Sequence, residues 1–194
     1  MPQTARWIVL GVLGLFLFTA PPASHADPIK DDATRRAALK QKATDAFKGS
    51  KNDCRAFAEV ASFAATIAPD PTEWFEDMRL ALIGEDWSRA RGKRGQWYHG
   101  VQTGDSGFKP ELKDGSSQVE HAFAAIYLGK VLLPGGAAVA GTAREIRDAF
   151  AHGGEVSAAD AALWAIGGDI GERISAKNLK DIKVPILNTM CSGA

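Results

Sequence analysis

The sequence predicts an all-α protein, a single-domain helical bundle with a long irregular loop near residues 85–115. Three observations favour this fold class. Apolar residues recur at helical spacing in several segments, glycine and proline separate those segments, and no stretch shows the alternation of a half-buried strand. The chain has 194 residues, of which 45% are hydrophobic and 24% charged, which is the balance of a globular protein.

The first residues are typical of a secretory signal peptide. Arg6 precedes an apolar run over 8–18, and Ser-His-Ala at 24–26 forms a small-x-small cleavage site. This run is shorter than the ~20 residues that span a bilayer, although an uncleaved membrane anchor remains the alternative. We therefore expect a signal peptide at 1–26 and a single helical domain at 27–194, periplasmic or secreted.

The first two helices after that segment are predicted from composition and caps. The stretch from Asp31 to Phe47 is charged, rich in alanine and poor in β-branched residues, which favours a helix. A second helix is expected to start with Asn52 or Asp53 as its N-cap and to end at Pro69. Its apolar residues follow helical spacing, namely Phe57, Val60, Ala61, Ala64 and Ile67.

Cys54, in the second predicted helix, and Cys191, near the end of the chain, are the two cysteines of the sequence. In an oxidising compartment two thiols allow one intramolecular connectivity, so we predict a disulfide between them. Two free thiols are the alternative. A catalytic thiol is disfavoured because neither cysteine lies near a cluster of basic residues or histidines in the sequence.

The third helix is expected to begin at Asp70, because Pro71 suits the first helical turn, and to end at Gly84. The stretch that follows contains seven glycines and prolines between Gly92 and Gly115, too many for a regular helix. We therefore predict a long loop there, and loops of this length are often functional.

Four further helical segments are predicted in the second half of the chain. One begins at the capping box 117–120 and continues to about Leu133. The next two span roughly 137–151 and 157–174. The last segment, from 177 to 190, is expected to be helical at first and to be limited by Pro185.

Charge composition limits the classes of partner. Lys+Arg and Asp+Glu number 23 each, so no overall field attracts nucleic acid, and we expect no nucleic-acid partner. No segment after residue 26 is apolar enough for a transmembrane helix, so we expect none in the mature chain.

A basic cluster lies within the predicted loop, flanked by Trp87 and Trp97. Basic residues beside aromatic rings suit phosphate groups and polyanions. An anionic ligand or an envelope component is therefore one predicted partner, and a solvated loop face is the alternative. The cluster consists of Arg89, Arg91, Lys93 and Arg94.

One set of side chains on three consecutive helices is a candidate catalytic site. His121 shares a helix face with the apolar residues that follow it and is expected to point inward. Glu145 and Asp148 are spaced i, i+3 on the next helix, so both project from one side, and Asp160 lies on the helix after that. If these groups converge, they can bind a divalent metal or act in acid–base catalysis.

Each of these residues also has a purely structural interpretation. His121 can be a hydrogen-bonded core histidine, and Asp160 can serve only the first turn of its helix. Glu145 and Asp148 can belong to a solvated face beside Arg144 and Arg147.

The order of these residues resembles a pattern in bacterial envelope proteins of the VanZ-like and YfiM-like kind. That pattern has a His on one helix, E-x-x-D/Q on the next, and then S-x-x-D-x-x-x-N-x-x-G-x-x-x-G. The matching residues are His121, Glu145, Asp148, Ser157, Asp160, Gly167 and Gly171. The resemblance covers residues 114–172 and departs at Trp164, where the pattern has Asn. It implies a location in the cell envelope and a cluster of histidine with acidic residues.

Two hypotheses about function follow. The first is an exported envelope protein with a structural or binding role, in which the His–carboxylate cluster stabilises the bundle and the long loop makes contacts. The alternative is an envelope hydrolase acting on a phosphoester, lipid or glycan, with or without a metal, through His121 together with Glu145, Asp148 and Asp160.

Overall fold

The computed structural model describes residues 29, 31–84, 101, 103–152 and 156–193, and in α5 below it omits the side chains of residues 148 and 150–152. Within these ranges the protein has seven α-helices and no strand, which confirms the predicted all-α fold. The helices are α1 (Asp32–Phe47), α2 (Asp53–Ile67), α3 (Pro71–Leu82), α4 (Gln118–Val131), α5 (Gly136–His152), α6 (Ala158–Arg173) and α7 (Lys183–Met190).

The predicted helix starts are confirmed where a side chain caps the first turn. Asn52 accepts a hydrogen bond from the Arg55 amide at 2.9 Å, and Asp70 accepts from the first-turn amides of α3. The hydroxyl of Ser157 accepts from the amide of Asp160 at 3.1 Å. Each side chain satisfies amides that have no partner within their own helix, which fixes where the helix begins.

Two expectations about helix ends were wrong in part. Ser117 is the N-cap residue of α4, as the capping box predicts, but its hydroxyl makes no capping hydrogen bond and instead pairs with that of Thr103 at 2.6 Å. Pro185 does not limit the last helix either. It is the third residue of α7, where a proline costs little because a first-turn amide needs no intrahelical partner.

The second half of the predicted loop is irregular, as expected. Residues 85–100 and 102 lie outside the described residues, and residues 103–117 contain a short 3-10 helix over Pro110–Leu112. Ser106 ties this segment to the start of α2, because its hydroxyl donates to the Asp53 carboxylate at 2.7 Å.

A disulfide joins Cys54 of α2 to Cys191 at the end of α7, as the sequence predicts. Both cysteines are buried, and the bond closes a separation of 137 residues. Two backbone hydrogen bonds join the irregular segment to the residues beside Cys191. The Lys109 amide donates to the Met190 carbonyl at 2.9 Å, and the Ser192 amide donates to the Gly107 carbonyl at 2.8 Å. The disulfide thus fastens α2, α7 and residues 103–117 at one place.

Helices α4 and α6 cross with very little space between their backbones. A Cβ atom on Gly167 would lie 2.5 Å from the Cβ of Ala125, so only glycine fits there. This agrees with the spacing of Gly167 and Gly171, which predicts a close helix approach. Because His121 lies in α4 and Asp160 in α6, this crossing sets the distance between the two elements that hold the candidate site.

Candidate functional site

His121 and Asp160 form a direct pair between α4 and α6. The Nδ1 atom of His121 lies 2.9 Å from Oδ1 of Asp160. The histidine is the fourth residue of α4 and the aspartate the third residue of α6, so both belong to first turns of adjacent helices. The Asp160 side chain is 5% exposed and that of His121 is 21% exposed. The carboxylate is therefore buried, while the imidazole reaches the surface.

This geometry orients the imidazole ring. Because an ionised carboxylate only accepts hydrogen bonds, the Nδ1 atom of His121 carries the proton and Nε2 of a neutral ring keeps the lone pair. Among the described residues, the bond at Nδ1 is the one hydrogen bond that the ring makes. The basic nitrogen is thus the one that Asp160 does not engage.

Gln118 links the Asp160 carboxylate to a second one. Its Nε2 atom lies 3.0 Å from Oδ1 of Asp160 and 2.6 Å from Oδ1 of Asp114. An amide nitrogen has two protons to donate and an amide oxygen has none, so the two carboxylates determine which end of the Gln118 amide faces them. Its Oε1 atom is buried and has no hydrogen-bond partner within the described part of the chain.

Asp114 connects this network to the irregular segment before α4. It accepts hydrogen bonds from the Ser116 amide at 2.9 Å and from the Ser157 hydroxyl at 3.1 Å. Burial opposes ionisation of Asp114, but hydrogen bonds, with those from Ser116 first, outweigh it and lower the pKa of this carboxyl. Asp114, Gln118 and Asp160 therefore fix the start of α4 against the start of α6.

Glu145 lies beside this pair without a direct hydrogen bond to it. Its Oε1 atom accepts a long hydrogen bond of 3.4 Å from the Trp164 indole. The centroids of the Trp164 and His121 rings are 6.4 Å apart, so the indole lies next to both groups. Trp164 fits here because Gly141 of α5 has no side chain: a Cβ on Gly141 would lie 2.0 Å from the indole.

The pKa values of His121 and Glu145 in this site, and of Glu120 next to His121 in the sequence, are raised. Burial lowers the pKa of His121, but the hydrogen bond and the charge of Asp160 outweigh it, so the pKa is raised. Burial, followed by the charge of Asp160, raises the pKa of Glu145. Burial also raises the pKa of Glu120, whose Oε1 has no hydrogen-bond partner among the described residues. Such shifts are common at functional sites and also occur in structural networks.

Of the predicted site residues, His121 and Asp160 come together and Glu145 lies close by. The side chain of Asp148 lies outside the described residues, as does the whole basic cluster Arg89, Arg91, Lys93 and Arg94. Sequence reasoning missed Asp114 and Gln118 as members of the site. The i, i+3 spacing of Gln118 and His121 could have indicated that these two share a face of α4, but Asp114 precedes the helix and no helical spacing relates it to them.

His121 with Asp160 is suited to proton transfer, because a histidine with a buried carboxylate at Nδ1 can take up and return a proton at Nε2. Across the described ranges, no group of three or more His, Cys, Asp or Glu residues is arranged to hold a metal ion.

None of the described helices is long and apolar enough to cross a membrane. Compared with protein-family models, curated proteins and solved structures, the chain matches none of them. The resemblance to VanZ-like and YfiM-like proteins therefore stays a prediction.

Proposed function

We propose that this protein is an exported hydrolase of the cell envelope, in which His121 and Asp160 act as an acid–base pair. The observation that carries the proposal is the 2.9 Å contact between His121 Nδ1 and the buried Asp160 carboxylate, on an imidazole that remains partly exposed. The predicted signal peptide at 1–26 and the disulfide of Cys54 with Cys191 support a periplasmic or secreted location.

In this proposal Nε2 of His121 removes a proton from a water molecule or a hydroxyl group as that oxygen attacks the substrate. The imidazolium that forms is stabilised by Asp160, whose buried carboxylate lies at the other ring nitrogen. The same Nε2 then returns the proton to the leaving oxygen. General acid–base catalysis of this kind contributes about 10²–10⁴-fold to a rate.

Glu145 is the second acid–base candidate. Its raised pKa favours the protonated carboxyl, which can donate a proton to a leaving group on the side of Trp164. His121 as the base and Glu145 as the acid would then divide the two proton transfers between them. Asp160 is a positioning residue, because it acts through the imidazole.

A second candidate function is a structural or binding role without catalysis. The observation that favours it is the Gln118 amide, which donates to both Asp160 and Asp114 and so joins α4, α6 and the irregular segment. Its donated hydrogen bonds favour one arrangement of the helices, while its buried Oε1 atom has no partner in the described part of the chain.

The experiment is a hydrolysis assay on protein purified after export, with one substrate for each bond class: bis(p-nitrophenyl) phosphate, p-nitrophenyl butyrate and p-nitrophenyl N-acetylglucosaminide. We expect turnover of at least one. We expect His121→Ala to lower its kcat/KM about 100-fold or more. The rate should rise with pH as His121 loses its proton, with a midpoint above about 6.5.

Asp160→Asn tests the positioning role, since it should lower kcat and shift the midpoint of the pH profile downward. Asp169→Asn is the matched control, because Asp169 is an exposed carboxylate on the same helix and should leave kcat unchanged. Circular dichroism establishes that each variant is folded. If the wild-type protein hydrolysed all three substrates no faster than the folded His121→Ala variant does, the catalytic proposal would be overturned and the structural one would remain.

A further inference from the structure

The Asp160 carboxylate accepts two hydrogen bonds on the same oxygen. Nδ1 of His121 lies 2.9 Å from Oδ1 of Asp160, and Nε2 of Gln118 lies 3.0 Å from that same atom. Gln118 is the first residue of α4 and is fully buried. Because it precedes His121 by one helical turn, both side chains leave one face of α4 and meet at one acceptor atom.

The shared oxygen couples the Gln118 amide to the proton of His121. An ionised carboxylate is stabilised by each hydrogen bond that it accepts. An oxygen that already accepts from an amide therefore gains less from a neighbouring imidazolium. It follows that Asp160 would hold the His121 proton more tightly if Gln118 did not donate to it.

Asp114 fixes the amide in this orientation. Nε2 of Gln118 donates to Oδ1 of Asp114 at 2.6 Å as well as to Asp160. Asp114 is itself held by the Ser116 amide and the Ser157 hydroxyl. Since the amide oxygen has no proton to donate, two carboxylates on one side keep the nitrogen turned towards them. The contact of Gln118 with Asp160 is thus determined by the network around it.

We propose that Gln118 is a positioning residue that sets how tightly His121 holds its proton, acting through the Asp160 oxygen that both side chains contact. The catalytic meaning of this role rests on the proposed function, since a general acid–base group works best when it takes up and returns its proton near the working pH. Asp160 favours the imidazolium, and Gln118 moderates that effect so that Nε2 returns to its neutral, basic form.

Other charged groups around His121 are separate from this contact. Arg144 and Glu145 of α5 act on the proton of His121 in opposite directions through their charges. Glu120, which precedes His121 on α4, also interacts with it through its charge. A neutral substitution of Gln118 removes none of these charges, nor those of the two aspartates. A changed titration of His121 in such a variant therefore reports the loss of the amide donor.

The experiment is a titration of His121 in the purified protein between about pH 5 and pH 9, followed by its ring proton resonances. His121→Gln identifies the resonances that belong to this residue. Gln118→Met keeps the length of the side chain and removes both amide donors. We expect it to raise the pKa of His121 by about 0.5–1, which corresponds to the loss of one hydrogen bond.

The matched control is Gln41→Met, because Gln41 donates to Asp45 at 3.0 Å on the exposed side of α1. It should leave the titration of His121 unchanged. Circular dichroism establishes that each variant is folded. An unchanged or lowered pKa of His121 in folded Gln118→Met would overturn the proposal and leave Gln118 a purely structural role. If Gln118→Met does not fold, Gln118→Asn decides by the same criterion, because its amide is shorter by one methylene group and withdraws from Asp160.

The titration needs no substrate, so its outcome is independent of the hydrolysis assay. A raised pKa in a protein that hydrolyses none of the three substrates would support the role of Gln118 and count against the hydrolase alone. Where hydrolysis is found, the midpoint of the pH profile of kcat/KM should move upward in Gln118→Met together with the titration of His121. A midpoint that stays in place in this variant would overturn the role of Gln118 and leave the hydrolase.

Discussion

Gly171 of α6 lies directly against the carbonyl of Ile126 on α4: a Cβ atom on Gly171 would lie 2.0 Å from that oxygen. Further along the crossing, a Cβ atom on Gly129 of α4 would lie 2.2 Å from the carbonyl oxygen of Gly168 on α6. Because a helix backbone cannot rotate aside as a side chain can, the two helices need glycine at these points. The contact matters for the site because His121 and Asp160 lie on the same two helices.

Gly171→Ala should therefore lower the free energy of unfolding by about 1–3 kcal/mol, as overpacking does in well-packed cores. Alanine raises helix propensity by up to about 1 kcal/mol, so a loss of stability would mean that the steric clash outweighs this gain. Urea unfolding followed by circular dichroism measures the change. Ala165→Leu, at an exposed position of α6, is the control and should change little. Equal effects of the two variants would contradict the tight crossing.

The helical fold and part of the candidate site can be predicted from local sequence signals. The caps at Asn52, Asp70 and Ser157 depend on a few adjacent residues, so the helix starts are visible in the sequence. The pair of His121 with Asp160 was predictable only as a possible convergence of neighbouring helices, because a sequence gives the face of a helix but not its rotation relative to the next one.

What the sequence did not indicate depends on contacts between distant residues. Gln118 reaches Asp114 and Asp160 because the segment before α4 folds back on α6, which no spacing rule encodes. Arg35 lies in a charged helix that composition would place at the surface, yet it is fully buried against Asp77 of α3. Arg35 can be buried because Asp77 pairs with it, and Asp77 lies 42 residues further along the chain, so the local composition does not reveal the burial.

Asp77→Ala should destabilise the protein by about 1–3 kcal/mol, because it removes the buried acceptor of the Arg35 guanidinium and leaves the more exposed Glu73 and Asp32 as its carboxylate partners. Asp77 also accepts a hydrogen bond from Arg36 at 3.2 Å, and the Arg35 guanidinium donates to the Ile29 carbonyl at 3.1 Å. The network thus holds α1, α3 and the chain before α1 together. Chemical denaturation measures the loss.

Asp169→Ala is the control for that variant, because Asp169 pairs with Arg173 at an exposed position of α6. Exposed ion pairs contribute about 0–1 kcal/mol. If Asp77→Ala were as mild as Asp169→Ala, Glu73 and Asp32 would be sufficient to compensate the Arg35 charge without Asp77.

Protonation of His121 should make the protein more stable in mildly acidic solution. Burial lowers the pKa of His121, but Asp160 outweighs it and the net pKa is raised, so the folded state binds this proton more tightly than the unfolded state. The stability gained from protonated His121 is fully present below about pH 6.5, the ordinary pKa of histidine, and is lost as the pH rises through the pKa of the folded state. Urea midpoints between about pH 5 and pH 9 should fall accordingly.

His121→Gln should flatten this part of the stability profile, whereas Thr66→Ala, an exposed change without a titrating group, should leave its shape unaltered. The titration of His121 can also be followed by its ring proton resonances. An imidazole that titrates below its ordinary value would mean that burial, rather than Asp160, dominates.

Removing the disulfide as a pair, in Cys54→Ala/Cys191→Ala, should cost about 4–5 kcal/mol in the chain-entropy estimate. The bond closes a loop across 137 residues, so it restricts the unfolded chain strongly, and both positions are buried. Peptide mapping under non-reducing conditions first establishes that the purified protein contains the bond. The variant should also loosen the contacts of Lys109 and Ser192 with Met190 and Gly107, visible as faster hydrogen exchange of the Lys109 and Ser192 amides. Unchanged exchange at those amides would mean that the backbone hydrogen bonds hold residues 103–117 without the sulfur link.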